Sequence, residues 1–243
     1  ITAAIMPEDY VAGNDGYLVP DYFGAANWAY SPLLKKFVDS LPGLGPDKMN
    51  NLGQYIPVAV PDKTTYPGSD YYEIAVVEYY EQMHSDLPPT LNRGYVQLST
   101  PLVPGSQIQL YYKDGTTPIK KGDGTNAIAV DKPHYLGPAI VSESGRPVRI
   151  KFYNLLPIGV AGDLFIPVDT SVMCAGDGTM IMGGMEMAMK FTQNRAVIHL
   201  HGNNTVWISD GTPHQWITPA GEDTHYPQGV SVVDVPDMSP GTK

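Results

Sequence analysis

His199 and His201 are separated by one leucine at the end of an apolar run, and Gly202 follows them. In a β-strand, residues i and i+2 point to the same face, so this spacing predicts that both imidazoles project together from a strand end. Two neutral imidazoles on a rigid element form half of a copper or zinc site. The residue types therefore make this pair the first candidate for metal chemistry in the chain.

The pair alone leaves several interpretations open. His-x-His also occurs in cupins, in zinc hydrolases and in strands that bind no metal. Zinc hydrolases usually carry further carboxylates and histidines close by, whereas Gly202, Asn203 and Asn204 follow here. Asp210-Gly211, further along, is by itself only a turn signal. Copper, zinc and a metal-free strand all remain compatible with these residues.

Short strands must position the pair, because the hydrophobic pattern from Tyr71 onward has a period of two. The predicted strands are Tyr71–Tyr80, Tyr95–Leu98, Gln107–Tyr112, Ala139–Ser142, Val148–Asn154, Ala196–His201 and Val230–Val235. Turns are predicted at Asp114-Gly115, Asp123-Gly124 and Ser144-Gly145. Short strands with frequent turns predict an all-β sandwich or barrel. Within it, residues 113–132 are predicted to be a surface insertion.

Residues 1–66 are predicted to form an N-terminal extension with one short helix, Ser31–Leu41. Ser31 can cap that helix, Pro32 suits its first helical position, and Pro42-Gly43 would end it. Its leucine, phenylalanine and valine side chains would form one apolar face. The rest of the extension is expected to pack over the sheet as an irregular strap.

Composition limits the classes of function. The chain has 243 residues with 25 Gly, 23 Pro and 16 Tyr, which is typical of a loop-rich and strand-rich protein. Its net charge of -10 argues against a nucleic-acid partner, because no basic stripe is present to contact phosphates. No apolar run approaches the roughly 18 residues that a membrane span needs. The one cysteine, Cys174, excludes an internal disulfide framework.

Motifs along most of the chain resemble those of the multicopper oxidases, specifically their first cupredoxin domain. The resemblance is strongest to bacterial laccases of the spore-coat type and to phenoxazinone-synthase-like oxidases. It runs in order over residues 34–238. It rests on Lys36–Pro42, Met83–Thr90, Tyr135–Ile140, Arg146–Ile150, Asn154–Pro157, Phe165–Asp169, His199–Gly202, and Ser209–Pro213 with Trp216. The fold that it implies is a cupredoxin-like Greek-key β-sandwich.

The resemblance also implies roles for three residues. His199 would bind the type-2 copper, and His201 would bind one type-3 copper of a trinuclear copper cluster. In this family, such a cluster couples the one-electron oxidation of phenolic or metal substrates to the four-electron reduction of dioxygen to water. That reduction consumes protons, and Asp210 matches a second-shell carboxylate of the family, which implies a proton relay.

Several motifs of the complete family are missing from these residues. They are a second His-x-His and, in the last domain, histidine motifs that include the His-Cys-His of the type-1 copper. Cys174 lies between Met173 and Ala175, so it is not expected to bind that copper. The chain is predicted to be the N-terminal portion of a longer or multi-chain oxidase. Residues 67–243 would form a cupredoxin-like domain that is truncated before its last strands.

The predicted partners are the remainder of the oxidase, dioxygen and a small reducing substrate, and the type-1 copper would lie outside this chain. The family favours an extracellular or periplasmic location and is also compatible with a spore coat. One alternative is a non-enzymatic cupredoxin module that holds copper for delivery or storage. Another is a metal-free domain with the same fold.

Other histidines and a methionine-rich segment are weaker candidates. His84, His134, His214 and His225 do not match copper ligands of the family, and His84 is expected to satisfy backbone groups beside Asp86. Thioethers are soft ligands, so the methionines of residues 173–189 would suit Cu(I). A glycine-rich loop whose methionines fill an irregular core is the favoured interpretation.

Overall fold

The computed structural model describes residues 34–170, 172, 175–182, 185–202, 210–211 and 215–229, and the backbone of two short strands nearer the N-terminus. For residues 177–182 and 185–189 it describes the backbone. This part of the chain consists of strands and irregular segments, with two 3-10 helices, Pro46–Lys48 and Gly159–Gly162. The fold is all-β, as the sequence predicts, and is consistent with a cupredoxin-like architecture.

Nine strands occur in the described residues. They are β1 (Tyr10–Ala12), β2 (Leu18–Pro20), β3 (Asp70–Glu81), β4 (Thr90–Gln97), β5 (Ile108–Gln109), β6 (Ile128–Ala129), β7 (Val148–Asn154), β8 (Asp177–Met182) and β9 (Met185–Lys190). The largest sheet has the order β4-β3-β7. In it, β3 is antiparallel to β4 and parallel to β7. The other pairs are β1 with β2, β5 with β6, and β8 with β9.

The central strand β3 is buried on both faces, because its side chains alternate between two hydrophobic clusters. Ala75 and Val77 belong to the first cluster. Ile74 and Val76 belong to the second cluster, against which the candidate histidine segment also packs. The central sheet is therefore the rigid base from which that segment extends.

The strand predictions are most accurate in this sheet. The predicted bounds of β7 agree with the structure, and β3 extends one residue beyond its prediction at each end. Strand β4 begins at Thr90, earlier than the predicted Tyr95, and ends at Gln97. Only Ile108–Gln109 of the predicted Gln107–Tyr112 is strand. The predicted strand at 230–235 lies outside the described residues.

Two predicted strands are wrong. Ala139–Ser142 makes one isolated bridge, from Ala139 to Val58, and Ala196–His201 makes one, from Ala196 to Ile217. A strand needs a partner that runs alongside it for several residues, and the partners of both segments are irregular. A period-two pattern reports which side chains are buried and does not report whether a neighbouring backbone continues the ladder.

The predicted helix does not form over its described part, residues 34–41. Phe37 has a φ of 61°, which is incompatible with a right-handed helix, and its side chain is 100% exposed. Asn51 takes a backbone donor that a helix would use, because the Ser40 amide donates to Asn51 Oδ1 at 2.9 Å. The Ser85 amide donates to Asp39 Oδ2, also at 2.9 Å. Tertiary hydrogen bonds therefore replace local ones in this segment.

The segment that follows packs against the sheet, as expected of a strap. Ala59 lies in the second cluster, and the backbone of Asp62 exchanges hydrogen bonds with that of Tyr71 on β3. The Gln97 amide nitrogen donates to the Val60 carbonyl at 2.7 Å. The division of the chain at residue 66 stays a prediction. Among the described residues, no helix is long and apolar enough to cross a membrane.

The prediction of a surface insertion at 113–132 is wrong at three positions that lie in the core. Ile119, Ala127 and Ala129 lie in the first cluster and are at most 1% exposed. The turns at Gly115 and Gly124 do form, with φ values of 70° and 82°. They let the chain fold back twice, so this turn-rich stretch contributes one wall of the core.

Replacing Ile119 with alanine should destabilise the fold by about 2–5 kcal/mol, because it opens a cavity in this wall. The matched control is Lys120→Ala at the exposed neighbouring position, which should cost less than about 0.5 kcal/mol. Denaturant unfolding measures both values. A cost for Ile119→Ala as small as that of the control would restore the surface-insertion interpretation.

Candidate functional site

The histidine segment is attached to the rest of the domain at its N-terminal end. The Ala196 amide donates to the Ile217 carbonyl at 3.0 Å, and the Ile217 amide donates to the Ala196 carbonyl at 2.8 Å. Ala196 and Ile198 pack against the second hydrophobic cluster. Both residues are partly buried, and because neighbouring side chains along a backbone that is close to extended point in opposite directions, His199 faces away from the cluster.

The two imidazoles lie together, as their spacing predicts. Their ring centroids are 4.7 Å apart, and the ring planes make an angle of 76°. Both residues are exposed, and the His199 side chain retains 39% of its accessible surface. An incoming ion can therefore reach the pair. The assignment of the two histidines to separate coppers stays a prediction.

Asp210 holds the His199 ring from behind. His199 Nδ1 lies 2.6 Å from the Asp210 carbonyl oxygen and 3.1 Å from Asp210 Oδ1. A carbonyl oxygen can only accept, so the contact places a proton on Nδ1 and leaves the lone pair of Nε2 available to a metal. This is the usual arrangement of a metal-binding histidine, in which a second hydrogen bond fixes the tautomer and the ring orientation.

The donor set fits copper in part. Neutral imidazole nitrogens suit copper, and the His199 contact with Asp210 leaves Nε2 facing outward. Across the described residues, however, no three His, Cys, Asp or Glu side chains come together closely enough to hold an ion. An ion held by the pair would therefore need further ligands from outside the described residues.

Gly211 fits tightly behind the His199 side chain. It has a φ of 70°, a conformation that glycine adopts without strain. A Cβ added to it would lie 2.5 Å from His199 Cβ and 3.2 Å from the Ile198 carbonyl oxygen. Asp210-Gly211 is therefore a turn, and it is also the wall against which the His199 ring is fixed.

The other histidines have structural partners. The Asp86 amide donates to His84 Nδ1 at 3.0 Å, which confirms that His84 satisfies a backbone group there. His84 Nε2 lies 2.9 Å from the Lys35 carbonyl oxygen and 3.8 Å from Asp39 Oδ2, and the second contact joins two of the segments that carry the family resemblance. Hydrogen bonds from the side chain and backbone of Ser85 lower the pKa of the nearby Asp39 carboxyl.

His134 is buried away from the histidine pair. Its Nδ1 lies 2.6 Å from Glu81 Oε1 at the end of β3, and its ring meets Tyr55 edge-on at a centroid distance of 4.4 Å. The Tyr135 amide donates to Glu81 Oε2 at 2.7 Å. Neither composition nor residue spacing indicates this buried contact between His134 and Glu81, whose residues are far apart in the chain. His225 is exposed, and His214 and Cys174 lie outside the described residues.

The methionine-rich segment forms a hairpin rather than the expected loop. Strands β8 and β9 pair antiparallel, with Met180 opposite Met187 and Met182 opposite Met185. The glycines that suggested a loop flank or interrupt the two strands. The prediction of a loop is therefore wrong over these two strands. Apolar residues alternate along both of them, and such alternation favours strand pairing.

Comparison with known proteins agrees with the motifs. The laccase of Haloferax volcanii is 28% identical over 193 residues, which are 79% of this chain and 24% of that protein. The laccase of Bacillus stratosphericus is 28% identical over 192 residues, 79% and 25% of the two chains. The laccase of Bacillus subtilis is 27% identical over 203 residues, 80% and 27% of the two chains. No protein-family model matches the chain.

The all-β fold and the paired imidazoles are consistent with a cupredoxin-like metalloprotein domain. More particularly, the matches support a laccase-like multicopper oxidase family for this chain. The chain spans about a quarter of the length of the curated relatives that it matches. Copper is the cofactor that this family implies in general.

Gly211→Ala should destabilise the domain by at least about 1 kcal/mol more than Gly202→Ala, because only the first adds an overpacked contact. Both glycines have positive φ values, 70° and 69°, so an alanine introduces the same backbone strain at either position. Nothing lies within 4 Å of a Cβ at Gly202, which makes it the matched control. Denaturant unfolding of the two variants gives the difference. Equal costs would mean that Gly211 does not fix His199.

Proposed function

We propose that this chain is the N-terminal portion of a laccase-like multicopper oxidase and that it supplies two imidazoles to a trinuclear copper site. The observation that carries the proposal is the histidine pair, in which the Asp210 carbonyl fixes the His199 tautomer and leaves Nε2 available. His199 would ligate the type-2 copper and His201 one type-3 copper. The laccase matches support a family whose cofactor is copper, so we propose copper as the metal.

The remaining ligands would come from other parts of the oxidase. The support is that two imidazoles form only a partial set and that no third ligand joins them within the described residues. The matched laccases are about four times as long as the aligned region, which leaves room for further ligands. The partner of this chain is therefore the remainder of the oxidase, with the type-1 copper outside these residues.

Copper bound at such a site would accept electrons that originate from a small phenolic or metal substrate and use them to reduce dioxygen to water. In this proposal the chain orients the imidazoles that bind copper, and it supplies protons to the site. Two contacts orient the His199 ring. Ile198 packs against the second hydrophobic cluster, and the Asp210 carbonyl oxygen accepts a hydrogen bond from His199 Nδ1. The Asp210 side chain is 51% exposed and lies 3.1 Å from His199 Nδ1, so its carboxylate can exchange protons with solvent beside the site.

His199→Ala and His201→Ala should each abolish dioxygen reduction and leave the blue type-1 absorbance of the complete oxidase unchanged. The reason is that each variant removes a ligand of the trinuclear site and none of the type-1 site. Oxygen consumption, copper content and the visible spectrum of the purified oxidase are the measurements. His225→Ala, at an exposed histidine away from the pair, is the control and should retain all three.

Two results would contradict this proposal. Full activity in both variants would remove the pair from the site. Loss of the blue band together with activity would mean that the histidines support folding instead. If the unmodified protein binds copper through the pair and reduces no dioxygen, the alternative of a copper-delivery or storage module is favoured.

Asp210→Asn should retain copper but slow turnover by about 100-fold, because the amide cannot carry a proton at the pH of the assay. The backbone carbonyl that holds His199 is unchanged by this substitution, so the ligand geometry is kept. Steady-state oxygen consumption and copper content together test this. Unchanged turnover would reduce Asp210 to a turn residue, and loss of copper would make its side chain part of the binding site.

A further inference from the structure

Asn154 is the last residue of β7 and is 7% exposed, and both its amide oxygen and its amide nitrogen are engaged. Its Nδ2 donates to the Asn194 carbonyl at 2.7 Å and to the Ile217 carbonyl at 2.8 Å. Its Oδ1 accepts from the Leu156 amide at 3.1 Å. One buried amide thus ties the end of β7, an edge strand of the central sheet, to two distant segments of the chain.

Those two carbonyls flank the bridge on which the histidine segment depends. Ile217 is the backbone partner of Ala196, and Asn194 lies two residues before Ala196. The Ile217 carbonyl accepts from the Ala196 amide and from Asn154 Nδ2 together. Within the described residues, the Ala196–Ile217 bridge is the one backbone pairing of the segment 196–201.

We infer that Asn154 is a positioning residue for the imidazole pair: its amide sets the point at which the segment Ala196–His201 is attached to the central sheet. The inference rests on the proposed function of His199 and His201. Beyond that point, packing of the partly buried Ile198 against the second cluster limits the rotation of the segment. A displaced starting point would carry both rings away from their common face.

A second anchor acts on the neighbouring residue, which limits how far the segment can move. Arg93 on β4 donates from Nη1 to the Gln193 carbonyl at 3.2 Å. Its Nη2 donates to the Gly162 carbonyl at 2.7 Å and to buried Glu78 at 2.8 Å. Consecutive carbonyls, those of Gln193 and Asn194, are therefore held by side chains of two different strands of the central sheet.

The region offers little room for an alternative arrangement. Asn194 is 1% exposed, and its Nδ2 donates to the Pro157 carbonyl at 2.8 Å. A Cβ on Gly162 would lie 2.1 Å from that same carbonyl oxygen. Because the surroundings are close-packed, they cannot rearrange when the Asn154 hydrogen bonds are lost. The segment that Asn154 holds has to shift instead.

Asn154→Asp tests the inference with the shape of the side chain kept. A carboxylate would place an oxygen, in place of a donor, against the Asn194 and Ile217 carbonyls, which repels them. Hydrogen–deuterium exchange of the intact protein without copper should show about tenfold faster uptake in peptides that cover 193–201 and 215–218. Peptides that contain the hydrogen-bonded amides of Leu98 and Leu110 should be unchanged.

Copper binding supplies the second readout. Cu(II) alone, titrated into the copper-free protein, should bind at least about tenfold more weakly in Asn154→Asp, as for other residues that orient metal ligands. Asn126→Asp makes the same chemical change at an exposed position and is the matched control. Asn154→Ala, which adds no charge, should reproduce the local exchange pattern if the aspartate variant does not fold.

Three results separate the possibilities. Unchanged exchange at 193–201 in a folded variant would overturn the inference. Faster exchange that is uniform, including Leu98 and Leu110, would also overturn it, because Asn154 would then be a general structural residue. If the unmodified protein does not bind Cu(II) but the local exchange effect occurs, the positioning role stands and the proposed copper function falls.

Discussion

The packing of one segment, residues 196–201, against the central sheet is the interaction on which the candidate site depends. Ala196 and Ile198 pack against the second cluster, and the side chains that lie between and after them are exposed. That is why two imidazoles lie with centroids 4.7 Å apart on a segment that is not itself a regular strand. Burial of an aliphatic side chain fixes the direction of a polar one, and the hydrogen bonds at the ends of the segment fix its position.

Polar contacts then specify the chemistry of the rings. The Asp210 carbonyl determines which nitrogen of His199 carries the proton, and Gly211 determines how closely that carbonyl can approach. Further back, Asn154 and Arg93 connect the segment to β7 and β4. Rigidity at the pair is thus built from the central sheet outward, in an arrangement that leaves both imidazoles open to solvent.

Local pattern was enough to predict β3 and β7, because both strands have continuous partners and a clear period. It failed at residues 34–41, where Asn51 and Ser85 provide hydrogen bonds that no local pattern encodes. Ile119 was missed as a core residue because turn signals surround it. The proximity of the two imidazoles was predicted from their spacing, whereas the supporting role of Asn154 depends on Asn194 and Ile217, which are distant in sequence.

The most direct test of the copper site is anomalous diffraction at the copper edge from crystals of the copper-loaded protein, in the multidomain form that we propose. We predict copper beside Nε2 of His199 and beside the His201 ring, with His199 Nδ1 still directed at the Asp210 carbonyl. Copper bound elsewhere while both imidazoles remain without metal would contradict it. Copper on His199 Nδ1, with the Asp210 contact broken, would contradict the proposed role of that carbonyl.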